Sequence, residues 1–305
     1  MTGTAPVAWV TGAHGFIGRH VARRFIATGW RVIGVDRIPP LETDPPAVTA
    51  EVGDTALSAA LARSGPPQAV FHGAGNGSVG RSIADPAMCR RDTLDSTLRL
   101  LAFLGSHAPT CRVVFPSSAA VYGAAENAPL REDRACAPVS PYGEHKLAAE
   151  RACLGSGQPV AILRMFSVYG PGLRKQLPWE LGRRLLGEPG PIALFGTGDE
   201  TRDFFSVHDA AEVIVALAGG NHPSPLIVNG GTGIATSVLQ FAQMLAAALG
   251  VNQGVTFNGL ARVGDPQFYC ADTTRLRGLG FRPATTLTDG LRAYAAWLRS
   301  AERGL

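Results

Sequence analysis

Lysine is nearly absent from this chain. Of its 28 basic residues only two are lysines, Lys146 and Lys175; the others are arginines, so a lysine here calls for an explanation. The sequence holds five cysteines, Cys89, Cys111, Cys136, Cys153 and Cys270, with no Cys-x-x-Cys pair among them. An odd, widely spaced set excludes a disulfide framework and a zinc site and points to free thiols in a reducing compartment. No apolar run reaches the ~18 residues of a membrane helix, and no basic segment followed by an apolar one opens the chain. A cytoplasmic protein is therefore expected. Neither charge sign dominates: 28 basic residues stand against 24 acidic ones, for a net charge of +4. The basic residues are scattered, which argues against nucleic acid or a membrane surface as principal partner and remains compatible with small anionic ligands. Charged residues make up only 17% and apolar residues 46%, too apolar for a disordered chain.

What is present is an alternation. The 305 residues exceed the usual size of one domain, so one large domain or two coupled ones is expected. Strand-like runs at Val7–Thr11, Arg31–Val35, Gln68–His72, Arg112–Phe115 and Val160–Leu163 alternate with helical stretches at Phe16–Thr28, Pro86–His107 and Pro141–Leu154. This pattern predicts an α/β fold with a doubly wound, Rossmann-type parallel sheet and helices on both faces. Beyond Phe166 the pattern loosens into Gly- and Pro-rich loops. Helices are expected there over Val207–Ala218, Ser237–Leu249 and Leu287–Ser300, and a strand over Leu226–Asn229. The expected division is residues 1–165 as the α/β region, with the strand near 226–229 returning to it, and residues 166–305 as a smaller α+β region interleaved with the first.

The first strand runs into Gly12-Ala13-His14-Gly15-Phe16-Ile17-Gly18 and then a helix. In that context glycines permit a tight turn, close approach to a pyrophosphate and close packing of helix on strand, with the helix N-terminus facing the phosphates. Phe16 and Ile17, which open that helix, are further candidates to contact the cofactor. The spacing is Gly-x-x-Gly-x-x-Gly rather than Gly-x-Gly-x-x-Gly. Asp36 ends the next strand, where a carboxylate accepts from adenosine ribose hydroxyls and repels a 2′-phosphate, favouring NAD; Arg37 beside it acts in the opposite sense. Asp54 is a candidate to reach the adenine, or a simple helix cap. His14 reads as a loop residue and His72 as a structural residue beneath the cofactor.

Tyr142 and Lys146 lie one helical turn apart and share a face. A tyrosine is a poor base at its usual pKa of ~10, and a nearby ammonium, with an oxidised nicotinamide, favours the tyrosinate. Tyr142 could then take a proton from an alcohol being oxidised. Ser118, at the end of a strand 24 residues upstream, could hold the same oxygen.

With these residues in place the chain resembles the extended short-chain dehydrogenase/reductases, and among them nucleotide-sugar epimerases of the UDP-galactose 4-epimerase type. The motifs are the glycine turn, His72-Gly-Ala-Gly75, Pro116-Ser-Ser118-Ala-Ala-Val-Tyr122-Gly123, Ser140-Pro-Tyr142-Gly-Glu-His-Lys146, Leu163-Arg-Met-Phe-Ser167, Arg202-Asp203-Phe204 and Arg262-Val-Gly-Asp265. The resemblance implies Ser118, Tyr142 and Lys146 as catalytic residues, Ala74 near the cofactor, and Arg202 and Arg262 as guanidinium grips on the nucleotide diphosphate. It also implies Ser167 and Tyr269 near the sugar, Tyr269 over the C2 substituent. The family often has Asn at the positions of Thr93 and Ser167. No role transfers to Lys175, in a loop expected near the substrate.

The resulting expectation is an NAD-dependent epimerase acting at C4 of a nucleoside-diphosphate hexose through transient oxidation to a 4-keto sugar. No metal is expected. The alternatives are a 4,6-dehydratase or 4-keto-sugar reductase on the same fold, and a non-catalytic dinucleotide or nucleotide-sugar sensor, against which the intact Ser, Tyr and Lys count. The resemblance further implies a homodimer joined through the helices Pro86–His107 and Pro141–Leu154, with Leu94, Leu98, Leu101 and Leu147 at the interface.

Overall fold

The computed structural model describes residues 4–40, 44–124, 128–260 and 267–302. Arg262 and Asp265 lie outside the described residues, as does Glu126, the first carboxylate after Ser118 in the chain.

The chain divides into two compact units. The first comprises Met1–Gly123, Ala135–Arg164 and Ala211–Val228. Its strands are β1 (Val7–Thr11), β2 (Arg31–Asp36), β3 (Ala47–Thr49), β4 (Ala69–His72), β5 (Arg112–Ser118) and β6 (Val160–Met165). With a strand at Leu226–Gly230 they make a seven-stranded sheet in which, from the far edge, that strand is followed by β6, β5, β4, β1, β2 and β3. The pairings from β3 across to β5 are parallel. Every residue of β1 is buried, as a parallel strand covered on both faces requires. Helices α1 (Phe16–Ala27), α2 (Asp54–Ser64), α3 (Val79–Ala84), α4 (Pro86–Arg90), α5 (Ser96–His107) and α6 (Pro141–Leu154) flank it. Trp9, Leu57, Val70, Leu100, Leu104 and Ile162 are among the fully buried core side chains.

The start of α6 is set locally: Pro141 stands in its first turn and the Ser140 hydroxyl accepts from the Gly143 amide. The sequence predicts one helix over Pro86–His107; the structure breaks it with a π-helical turn at Arg91–Asp95 between α4 and α5. That turn spans Leu94, so Leu94, Leu98 and Leu101 no longer form one regular helical stripe. Leu101 is buried in its own core, Leu94 and Leu147 are half-buried, and Leu98 is exposed.

The second unit, Ala124–Arg134, Met165–Ala210 and Asn229–Leu305, is built from short strand pairs and helices. Strand β7 (Ser167–Tyr169) pairs parallel with Phe204–Ser206, and Thr201–Arg202 pairs antiparallel with Thr236–Ser237. Helix α7 (Gln176–Gly187), a helix at Val238–Leu249 and another at Leu287–Glu302 pack on one another. The centre of this unit is a buried carboxylate. Asp203 accepts from the amides of Thr232 (2.8 Å), Gly233 (2.8 Å) and Ala271 (3.2 Å) and from the Thr232 hydroxyl (2.7 Å). Among the described residues no helix is long and apolar enough to cross a membrane.

Candidate active site and cofactor cradle

The glycine turn follows β1 directly. Gly12 has φ +67°, and a Cβ there would lie 2.6 Å from the Gly73 carbonyl carbon, at the exit of β4. A Cβ on Gly18 would fall 2.0 Å from the Gly12 oxygen, so this residue must be glycine for α1 to lie against the turn. No side chain caps α1, and no acidic residue stands in its first turn, leaving its amides and positive end open to an anion. Asp36 is buried at the end of β2. One of its carboxylate oxygens accepts from the His14 amide at 2.8 Å and the other from the Ile38 amide at 3.0 Å.

These elements wall a cavity of about 170 Å³. Gly12, Gly15, Asp36, Arg37 and Ala74 line it, as do Gly73 and Gly75. A glycine cradle, an open helix N-terminus and a buried carboxylate fit a dinucleotide. Gly18 acts behind the wall, through its packing. Phe16 and Ile17 stand half-buried in the first turn of α1 and are not in the lining. Asp54 is the exposed first residue of α2 and does not line the cavity; Ala50, Glu51 and Val52 do. Sequence reasoning missed those three, and also Arg91, Asp92, Ser96 and Arg99, which reach the cavity from the π-helical turn and α5. Arg37 is paired with Asp92 at 3.4 Å.

Two strands along the sheet from β1, β5 finishes at Ser118. The Ser118 hydroxyl accepts from the Ala120 amide and shares a hydrogen bond with the Tyr142 hydroxyl. Tyr142, in the first turn of α6, is partly exposed as a residue, but its phenol end is desolvated. Burial therefore raises its pKa, the Ser118 hydrogen bond works in the opposite direction, and the neighbouring Cys89 adds to the rise. The lowering that the sequence leads one to expect from Lys146 is not among these influences. Lys146 is buried, and its ammonium donates to the Pro116 carbonyl at 2.8 Å and lies 4.8 Å from the centre of the Phe115 ring. One turn further along α6, Glu150 holds Arg164 through bonds of 2.8 and 3.0 Å, both side chains being almost fully buried. Burial disfavours the Arg164 charge, but the Glu150 carboxylate more than offsets it and holds the guanidinium charged. The Arg164 guanidinium lies over the ring of Tyr122.

In the second unit Ser167 opens β7, its amide donating to the Asp203 carbonyl. The backbone of Tyr269 donates to the carbonyl of Thr201, beside Arg202, and its ring stands edge-on to Phe166 with centroids 6.3 Å apart. Ser167, Arg202 and Tyr269 thus belong to one local framework, and all three are half-buried. Lys175 stands exposed just before α7 and precedes Gln176, whose φ is +63°. No cluster of three or more metal-ligating side chains occurs among the described residues.

Residues 8–231 match the profile of the NAD dependent epimerase/dehydratase family. The chain is 32% identical to a UDP-glucose 4-epimerase of Azospirillum brasilense, over all of this chain and 95% of that protein. It is 29% identical to a dTDP-glucose 4,6-dehydratase of Streptomyces griseus, over 94% of this chain and 92% of the relative. Among solved structures it is similar to MoeE5 in complex with UDP-glucuronic acid and NAD, with 33% identity, a TM-score of 0.87 and coverage of 96% and 99% of the two chains.

Proposed function

This chain belongs to the NAD dependent epimerase/dehydratase family, and from that premise we propose that it inverts C4 of a nucleoside-diphosphate hexose of the UDP-glucose/UDP-galactose type. The observation that carries the choice is the pair of alanines after Ser118. Ala119 and Ala120 follow Ser118 in a single 3-10 turn, and neither can transfer a proton, so no carboxylate comes directly after Ser118 in the chain. A 4,6-dehydratase must remove the C5 proton and expel the C6 hydroxyl, which takes a further acid and base beside the Ser118–Tyr142 pair. Glu144 is exposed on α6 and offers no replacement. Inversion at C4 needs less: a proton acceptor at O4, a group that holds that oxygen, and an oxidant that is returned.

When bound, NAD supplies reversible two-electron oxidation at C4 and ends each turnover unchanged. Asp36 receives the adenosine ribose, and the glycine turn with the open end of α1 receives the pyrophosphate. Tyr142 takes the O4 proton and gives it back, while Ser118 holds the phenol and the sugar oxygen in line. Lys146, one helical turn from Tyr142, is fixed by its bond to the Pro116 carbonyl. Arg202 and Arg262 are assigned to the diphosphate. Incubation with UDP-glucose, UDP-galactose, GDP-mannose and dTDP-glucose, with no cofactor added, tests the proposal. It requires a mixture of 4-epimers in at least one case; accumulation of a 4-keto-6-deoxy sugar contradicts it and supports the dehydratase.

The buried Asp36 carboxylate leads us to expect that NADP binds at least tenfold more weakly than NAD. Two like charges at contact distance cost on the order of 1–4 kcal/mol near a protein surface. Titration of stripped protein with both dinucleotides checks this, and equal affinities would shift the weight to Arg37.

Tyr269, braced by Phe166, is assigned to the sugar's C2 side. UDP-glucose is accordingly expected to outperform UDP-N-acetylglucosamine in kcat/KM, and Tyr269→Gly to narrow that gap. Equal efficiency of the unmodified protein on both sugars would remove the steric role.

We also propose a homodimer through Pro86–His107 and Pro141–Leu154, supported by the exposure of Leu98 and the half-exposed Leu94 and Leu147. Light scattering at micromolar concentration is expected to return twice the 31.9 kDa of one chain; the mass of a single chain excludes the dimer.

A further inference from the structure

A chain of directed hydrogen bonds runs behind the cofactor cavity and passes through His72. The Ala74 amide donates to the Thr11 hydroxyl at 3.1 Å, and that hydroxyl lies 2.7 Å from Nδ1 of His72. On the other side of the ring Nε2 lies 3.1 Å from the Thr97 hydroxyl, which donates to the Thr93 carbonyl at 2.7 Å. Thr11, His72, Thr93 and Thr97 are all buried.

The proton directions are fixed by this arrangement. A threonine hydroxyl has one proton to give. Thr97 gives its proton to the Thr93 carbonyl, so Nε2 must be the donor to Thr97. A neutral imidazole then has Nδ1 free of hydrogen, and Nδ1 accepts from Thr11. The ring is held neutral: burial first, and then the Lys146 charge, push the His72 pKa down to about 3. Every donor and acceptor from Ala74 to Thr93 is thereby satisfied, in one direction only.

The members of this chain belong to three separate walls of the cavity. Thr11 precedes Gly12, Ala74 sits in the loop that leaves β4, and Thr93 is inside the π-helical turn whose neighbours Arg91 and Asp92 line the space. A second link closes the same frame, from the Asn76 amide to the Thr93 hydroxyl at 3.3 Å. π-Turns inserted into α-helices occur frequently at functional sites. We infer that His72 is a positioning residue for the cofactor: as the Nε2–H tautomer it locks the glycine turn, the β4 exit loop and the π-helical turn into the geometry that receives a dinucleotide. His72 itself touches neither the sugar nor the reacting atoms and acts through Thr11 and Thr97.

The inference rests on the reading of this cavity as the NAD site, and the test separates the two. NAD dissociation constants are measured by calorimetry for stripped wild type, His72→Leu, Thr97→Val, Thr97→Ser and the double variant His72→Leu/Thr97→Val, each first checked for folding by circular dichroism. His72→Leu and Thr97→Val are expected to weaken NAD binding by roughly tenfold or more, because each strands buried hydrogen-bonding groups. Thr97→Ser, which keeps the hydroxyl, restores wild-type affinity. The double variant binds no worse than the weaker single one, since either change cuts the same chain. Nitrogen-15 spectra of wild type at neutral pH show the hydrogen on Nε2. A wild-type chain that does not take up NAD overturns the site reading itself. A wild type that binds while folded His72→Leu or Thr97→Val stays within twofold of it, additive losses in the double variant, or a hydrogen on Nδ1 overturns the role of His72. Should His72→Leu fail to fold, the Thr97→Val and Thr97→Ser pair decides alone.

Discussion

Replacing Tyr142 with phenylalanine is expected to lower turnover by roughly 10²–10⁴-fold while leaving NAD binding intact, the usual worth of a positioned acid–base group. The phenol pairs with Ser118 at the end of β5 and stands on the first turn of a firmly capped helix. Phenylalanine keeps the ring and removes only the oxygen that carries the proton, so the loss falls on the chemical step. A companion result concerns pH. Burial raises the Tyr142 pKa and the Ser118 hydrogen bond opposes that rise. Ser118→Ala removes the opposing contribution, so the rising limb of kcat/KM, which tracks deprotonation of the base, should move to higher pH. A limb that moves down, or a Tyr142→Phe protein with near-normal turnover, assigns the proton to some other group.

Breaking the Glu150–Arg164 pair is expected to give the largest loss of stability from a single substitution in the first unit. Glu150→Ala leaves an arginine in the interior with no carboxylate; removing one partner of a buried pair costs about 3–5 kcal/mol. Whole domains are stable by only about 5–15 kcal/mol. At about 2–4 °C per kcal/mol, the melting temperature should fall by roughly 6–20 °C. Two substitutions together, Glu150→Met with Arg164→Met, should recover much of that loss, because no lone charge then remains in the core. Thermal denaturation followed by circular dichroism reads both changes. A single variant that melts within about 2 °C of wild type would mean that water reaches Arg164, against its near-complete burial. Because Glu150 lies on α6 with Tyr142 and Lys146, catalysis should also weaken below the melting temperature.

Much of the first unit is legible in the sequence because its signals are local. Val7–Thr11 and Val160–Leu163 are apolar runs of strand length, and the glycine turn sits where a strand meets a helix. Ser140-Pro141 announces α6 through its own cap. The missed elements lack such signals. Ala47–Thr49 is only three residues long, after Pro45-Pro46, and becomes a strand because β2 offers an edge beside it. Helix α7 carries Pro178 within its first turn, a position that tolerates proline but reads as a break. The π-helical turn has no marker of its own; Asn76 and the Thr97–Thr93 bond close around it from elsewhere in the fold.

The candidate site divides in the same manner. Gly12, Gly15, Asp36, Ser118, Tyr142 and Lys146 stand in motifs whose chemistry depends on neighbours in sequence. Arg91, Arg99 and Glu51 reach the cavity only through the tertiary fold, and nothing beside them in the chain announces it. His72 reads as structural in the sequence, but its partners Thr11 and Thr97 are 61 and 25 residues away, beyond any local pattern. Asp203 draws its hydrogen bonds from residues 29 to 68 positions further on, and its place at the centre of the second unit is equally invisible in one dimension.

The central claim, oxidation and reduction at the same carbon, is tested most directly by following an isotope. UDP-glucose carrying deuterium at C4 is incubated with the enzyme and no added cofactor, and the product is read by proton and deuterium NMR. Epimerisation removes the deuterium and returns it to C4 from the opposite face, so UDP-galactose with deuterium retained at C4 is the expected product. Deuterium at C6 of a 4-keto-6-deoxy sugar would contradict the account and make the protein a dehydratase.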